Sequence, residues 1–277
     1  MKLKPLGGQA IVEGVMIKSP DAYSLAVRLP NGKIKAKRVK QQSLTQKYRV
    51  LGLPFLRGII NLWEMLVIGI KALTWSANQQ GEDEELGPWE WFITFALAIL
   101  LTIGLFVILP YYGAGFLFTG NTIAFGALEG ALRLVIFLLY LAVIGLSSDV
   151  KRMFQYHGAE HMSVHCYESG KTLDVKNVKS FPPEHPRCGT SLLFFVIVVS
   201  IVLFSLVRTD FWYYNILFRV LLIPVVASVS YEILKMTAKH PALKFLSYPG
   251  LMVQKLTTRQ PNANQIEVAI AAVNKAK

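Results

Sequence analysis

The sequence is short of acid. Aspartate and glutamate together number 17 against 29 lysines and arginines, for a net charge of +12. It has only two cysteines, Cys166 and Cys188, which on count alone allow one disulfide. It contains no internal repeat, P-loop, G-x-G-x-x-G element or G-x-S-x-G nucleophile elbow, so the common phosphate cradles, dinucleotide folds and serine-hydrolase turns have no motif to rest on. The opening residues M-K-L-K-P-L-G-G-Q-A have no apolar core, and no cleavable signal peptide is expected. Nucleic acid is not expected as a partner either. The basic residues are spread over several segments, and no nucleic-acid motif accompanies them.

Apolar residues fill the chain instead. They make up 53% of its 277 residues, and mean hydropathy is +0.42. Such a chain is too apolar for an ordinary soluble domain, and its basic excess records membrane topology and contact with anionic lipid. Four segments have the length a bilayer requires: Trp89–Leu109, Leu132–Ser148, Ser191–Val207 and Asn215–Leu234. Trp89, Trp91, Tyr111, Tyr112, Trp212, Tyr213 and Tyr214 mark their interfaces. The loop Tyr111–Ala131 has no lysine or arginine, and the loop between the last two spans has only Arg208. Residues 1–88, 149–190 and 235–277 carry nearly all the basic residues, which puts both termini in the cytoplasm. Both cysteines then face a reducing compartment. The expected fold is a mainly α-helical polytopic protein of the bacterial cytoplasmic membrane, with about four transmembrane helices, one interfacial helix and a small N-terminal subdomain containing a β-hairpin.

Residues 1–52 form that subdomain. A-Y-S-L-A-V-R-L, P-N-G-K and I-K-A-K-R-V read as a hairpin turning at Asn31-Gly32. Upstream, Glu13 lies among glycines as a candidate site residue or a plain surface glutamate. Residues 53–77 are apolar except for Arg57, Asn61, Glu64 and Lys71, which make one narrow polar stripe. That pattern predicts an interfacial helix rather than a span, with the stripe facing water or the active site. An acidic linker (78–88) leads to spans one and two (89–148). Spans three and four (191–234) follow the polar segment 149–190, and a C-terminal segment (235–277) carries a helix near Asn264–Asn274.

The chemistry concentrates in 149–190. Three of the five histidines, His157, His161 and His165, lie between Asp149 and Glu168. This stretch predicts a helix that continues span two, weakened at Gly158 and ended at Gly170. At about 100° per residue, His157, His161 and Glu168 share one arc, flanked by Glu160 and His165. His157 and His161, one turn apart, can reach one ion, and Glu160 completes the H-x-x-E-H pattern, in which two histidines bind zinc and the glutamate activates water. His185 and Cys188 form an H-x-x-C pair that can supply the remaining ligands. Cys188, at a helix N-terminus, is placed where the dipole favours thiolate. The alternative is a polar helix face with solvated histidines and a buried cysteine.

G-G-Q-A-I-V-E-G-V-M, F-Q-Y-H-G-A-E-H with Y-E following, H-P-R-C-G-T-S, and T-T-R-Q-P with I-E-V-A-I-A-A resemble the YqhQ family of bacterial membrane proteins. The match is collinear over essentially the whole chain. The resemblance implies an integral membrane protein that is a predicted metal-dependent enzyme. Its blocks cover Glu13, His157, Glu160, His161, Glu168, His185, Arg187 and Cys188, but not His165.

The expected function is metal-dependent hydrolysis on the cytoplasmic face. His157, His161, His185 and Cys188 would hold a divalent metal, zinc by ligand type. Glu160 would be the general base, Glu168 a supporting carboxylate or a replacement ligand, and Arg187 a stabiliser of anionic charge. Four protein ligands close a zinc site, however, and a closed site is structural. The competing expectation is accordingly a non-enzymatic scaffold in which metal staples spans two and three. A transporter ranks last, because no acidic ladder crosses the spans. The bilayer is the one expected partner.

Overall fold

The computed structural model describes residues 4–81, 87–118, 123–207, 209 and 211–277. The acidic core of the linker at 82–86, Arg208 and the side chain of Trp91, all used above, lie outside the described residues.

Four antiparallel strands form a meander in sequence order: β1 (Gly7–Ile11), β2 (Gly14–Lys18), β3 (Ala22–Arg28) and β4 (Ile34–Lys40). The expected hairpin is β3–β4. Its loop is longer than a two-residue Asn-Gly turn: the Leu29 N–H donates to the Lys33 carbonyl and the Gly32 N–H to the Leu29 carbonyl, both at 2.8 Å. Gly32 takes the left-handed step at φ +81°. The glycine-rich opening is a second hairpin, β1–β2, which turns through Val12 and Glu13 with Glu13 at φ +52°.

The helices are α1 (Leu44–Lys47), α2 (Leu56–Asn78), α3 (Pro88–Ile103), α4 (Leu109–Leu117), α5 (Ile123–Ile144), α6 (Ser148–Glu168), α7 (Val175–Lys179), α8 (Gly189–Leu206), α9 (Trp212–Lys239), α10 (Tyr248–Thr257) and α11 (Ala263–Ala276). The sheet is covered on both faces. Val15, Ile17 and Ala26 pack with α6 and α11, whereas Ile11, Met16, Leu25 and Val27 pack with Ile68 and Ala72 of α2. Burying each large aliphatic side chain contributes about 1.5–3 kcal/mol. The free edge, β4, carries Lys35, Lys37, Arg38 and Lys40, charges that discourage pairing with another strand.

Among the described residues, four helical segments are long and apolar enough to cross a membrane: Phe92–Leu117, Ala124–Ile144, Gly189–Leu206 and Trp212–Lys239. The first joins α3 to α4 through a π-helical turn at Gly104–Ile108. Pro110 has no N–H to give the Phe106 carbonyl, and the Nε of Arg133 donates to that carbonyl instead, at 2.8 Å. The lysine-free loop is therefore far shorter than 111–131, and Glu129 belongs to α5 rather than to a loop. Glu129 is buried between Arg133, at 2.8 Å, and Arg219 of α9, which reaches both its oxygens at 2.8 and 2.9 Å.

Span two and the His-rich helix are not one helix. The chain turns at Gly145–Ser147, and Ser147 caps α6 in an extended conformation with Asp149 in the first turn. Glycine weakens α5 there, while Ser-Ser-Asp supplies a start signal for a new helix.

Three members of the polar stripe of α2, Arg57, Asn61 and Glu64, pair with protein groups rather than with the histidines, whereas Lys71 is exposed to solvent. Arg57 pairs with Glu232, and Asn61 Nδ2 donates to the Tyr231 hydroxyl at 2.8 Å. Glu64 accepts from the Ser43 hydroxyl at 2.6 Å and from Lys18 at 3.2 Å. The outward face of α2 presents Leu56, Ile59, Trp63 and Leu66.

Candidate metal centre

One face of α6 belongs to the core. Tyr156, Ala159, Met162 and Cys166 recur at helical spacing and are buried against the sheet and α11. The opposite face carries His157, His161 and His165 toward the loop 181–188, which Pro182, Pro183 and Pro186 stiffen. Gly170, at φ +73°, follows the Ser169 cap and ends the helix as expected.

His157, His161 and Cys188 converge, with one ligand atom from each lying within 4.8 Å of the others. The Nδ1 of His157 bonds to the Thr257 carbonyl at 2.8 Å, which leaves Nε2 facing the Cys188 sulfur at 3.2 Å. The Nδ1 of His161 bonds to the Pro183 carbonyl at 2.6 Å, which leaves its Nε2 free for the cluster. A carbonyl bonded to one ring nitrogen in this way sets the tautomer and aims the other ring nitrogen. Two tetrahedral zinc ligands, one nitrogen and one sulfur, lie about 3.5 Å apart given the usual bond lengths. The three residues fit such an ion in both donor type and spacing. Cys188 caps α8, and its sulfur accepts the Thr190 N–H at 3.4 Å.

Glu160 lies beside the trio, its carboxylate 3.5 Å from His161 Nε2. Gly8 of β1 approaches so closely that a Cβ there would sit 3.1 Å from the Glu160 Cγ. Burial pushes the Glu160 carboxyl up to about 7, although His157 draws it down.

His185 stands next to the trio without joining it. Its ring is 5.6 Å from that of His161. Its Nδ1 accepts the Arg187 N–H at 3.2 Å, and its Nε2 faces Glu168 at 3.6 Å. Burial holds His185 down to about 4, against the opposing pull of Glu168. Burial would raise the Glu168 carboxyl, but bonding to His185 and the Arg187 charge bring it below the usual carboxylate range. Arg187 pairs directly with Glu168. His165 turns away: its Nε2 bonds to the Glu184 carbonyl at 2.9 Å and its ring stacks on Phe181. Glu13 is on another face of α6, bonded to Arg152 at 2.6 Å and to the Tyr156 hydroxyl at 3.2 Å.

Three positioning groups have no signature of their own in the sequence: the carbonyls of Thr257 and Pro183, and Gln254. The fully buried Gln254 accepts the His185 N–H at 2.8 Å and donates to the His185 carbonyl at 2.9 Å. T-T-R-Q-P, one of the blocks behind the resemblance, contains Thr257.

Residues 53–277 match the family model described as "Protein of unknown function (DUF1385)". The chain is 36% identical to "Uncharacterized protein YqhQ" of Bacillus subtilis (strain 168), over 97% of this chain and 91% of that protein. No solved structure matches.

Proposed function

We propose that this chain, which belongs to the DUF1385 family, is a multi-pass protein of the bacterial cytoplasmic membrane and a metal-dependent hydrolase. Its site would face the cytoplasm. The observation that carries the reading is the three-residue cluster of His157, His161 and Cys188 with the buried Glu160 carboxylate at its side. Three protein ligands leave one position of a tetrahedral ion open, which is the arrangement of catalytic rather than structural zinc sites. A bound divalent ion, zinc by ligand type, would supply Lewis acidity and acidify water. Glu160 takes the proton released and returns it to the leaving group, a role suited to a carboxyl that titrates near neutral pH. Glu168 and Arg187 hold His185 in place beside the site, and Arg187 offers a cation to an anionic group of the substrate. The lysine and arginine bias of 149–190 and 235–277 supports the cytoplasmic orientation.

The nearness of the His185 ring to that of His161, at 5.6 Å, favours a second reading. Turned inward, His185 would make a fourth ligand, and a closed site would staple α6 to the start of α8.

Metal analysis of the detergent-purified full chain separates the outcomes. Wild type and Glu160→Gln should hold about one ion per chain, and His157→Ala, His161→Ala and Cys188→Ser should lose most of it. Wild type without stoichiometric metal after zinc resupply, or ligand variants that keep it, would overturn the metal reading. Loss of metal from His185→Ala in a protein that stays folded would favour the stapling role.

A further inference from the structure

A cleft of about 980 Å³ opens beside the metal cluster. One wall is His165, Glu168, His185 and Arg187; the other is Lys244, with Tyr248, Leu251, Met252 and Lys255 of α10. The α10 residues recur every three or four positions, so a single helix face lines the cleft.

Its place in the fold is as informative as its lining. Arg187 stands two residues before the first residue of α8, and Thr237 and Ala238, also in the lining, are near the last residue of α9. The cleft therefore lies where two of the four long apolar helices emerge together. The segment that follows α9 exposes Phe245 (69%), Tyr248 (62%) and Met252 (46%) beside Lys244 and Lys255. Exposed aromatic and apolar side chains bracketed by two lysines suit a segment seated at the headgroup level.

The charge of the cleft is one-sided. Four cations, Lys4, Arg187, Lys244 and Lys255, line it with two carboxylates, Glu168 and Glu184. Arg187 is committed to Glu168 and Lys4 to Asp21. Lys244 and Lys255 have no carboxylate partner among the described residues. Lys244 and Lys255 outnumber Glu184, the remaining lining carboxylate, and beside an apolar helix face at the level of the headgroups they complement a molecule with an anionic head and an acyl tail.

We propose that this cleft takes the phosphate headgroup of an anionic lipid from the adjoining leaflet and delivers it to the metal cluster across His185. The lipid is then the substrate class of the hydrolase, a step that rests on the function proposed above; binding itself does not.

Native mass spectrometry of the full chain, released from micelles containing phosphatidylglycerol or phosphatidylcholine, tests it. Wild type should retain one phosphatidylglycerol under activation that strips phosphatidylcholine. Lys244→Ala/Lys255→Ala should bind it at least about tenfold more weakly, the scale of two lysines at a headgroup. A control, Lys235→Ala/Lys239→Ala, removes lysines of α9 that do not line the cleft and should bind as wild type does. Equal retention of the two lipids, or equal loss in the two variants, would overturn the proposal. If sn-glycerol 3-phosphate displaces the lipid, the cleft takes a soluble phosphate and the lipid source is wrong. Metal content measured on the same samples keeps the two readings apart. Lipid bound without metal sinks only the hydrolase, and metal without lipid sinks only the cleft.

Discussion

Gly158 and Arg259 meet backbone to backbone: a Cβ on Gly158 would lie 2.2 Å from the Arg259 carbonyl oxygen. The Arg259 N–H donates to the Phe154 carbonyl at 3.0 Å, so the segment after α10 is laid directly along α6. Two residues before Arg259, at the last position of α10, is the Thr257 carbonyl that orients His157.

Gly158→Ala should therefore destabilise the protein by about 1–3 kcal/mol, the cost of overpacking. It should also weaken metal binding by about 10–100-fold, the usual effect of disturbing a group that orients a ligand. In an unconstrained helix interior the same change stabilises by about 0.5–1 kcal/mol. Thermal denaturation and zinc titration of the two proteins decide the sign, and a more stable variant with wild-type affinity would remove this role for Gly158.

His185 predicts a loss of stability in mild acid. Its folded value, about 4, is below the unfolded value of about 6.5. Between those values the unfolded chain binds more protons, so stability is full above about pH 6.5 and falls as pH drops toward 4. By pH 5 the loss from this one group is about 2 kcal/mol. Unfolding curves from pH 7.5 to 5 should show that slope in wild type and a shallower one in His185→Gln. Identical slopes would mean that His185 does not stay neutral in the fold.

The buried Glu129 sits between two arginines, so removing it leaves two unbalanced cations. Glu129→Gln should cost about 3–5 kcal/mol. Arg133→Met leaves Glu129 with Arg219 but orphans the Phe106 carbonyl, which is worth about 1–3 kcal/mol. Denaturation midpoints in one detergent should rank wild type above Arg133→Met and Arg133→Met above Glu129→Gln. The reverse order of the two variants would show that the charge balance is not what holds these helices.

What the sequence made readable was local. His157 and His161 share a helix face because they are one turn apart, Gly170 ends the helix because a left-handed residue is needed there, and Asn31-Gly32 sits at a real turn. Contacts set by distant segments stayed hidden. The Thr257 and Pro183 carbonyls leave no trace in side-chain identity. Glu129 and Arg219 are 90 residues apart, and nothing in either neighbourhood announces the other. β1–β2 was masked because both faces of the sheet are covered, which removes the polar–apolar alternation that marks a half-exposed strand. The polar stripe of α2 reads the same whether its members meet water, as Lys71 does, or Glu232, Tyr231 and Ser43, as Arg57, Asn61 and Glu64 do.

The sheet is closed by α11, whose Ala272 carbonyl accepts from the Ser24 hydroxyl at 2.7 Å. Between those two residues the ribosome makes all four long apolar helices. The strands must wait, with one apolar face uncovered, while the long apolar helices are synthesised. Only then does the layer behind α6 fill, and only then is the helix that carries the histidines held from both sides. The order of synthesis thus makes the cluster of His157, His161 and Cys188 a late product of the folding chain: the Thr257 carbonyl that orients His157 is made only after all four long apolar helices.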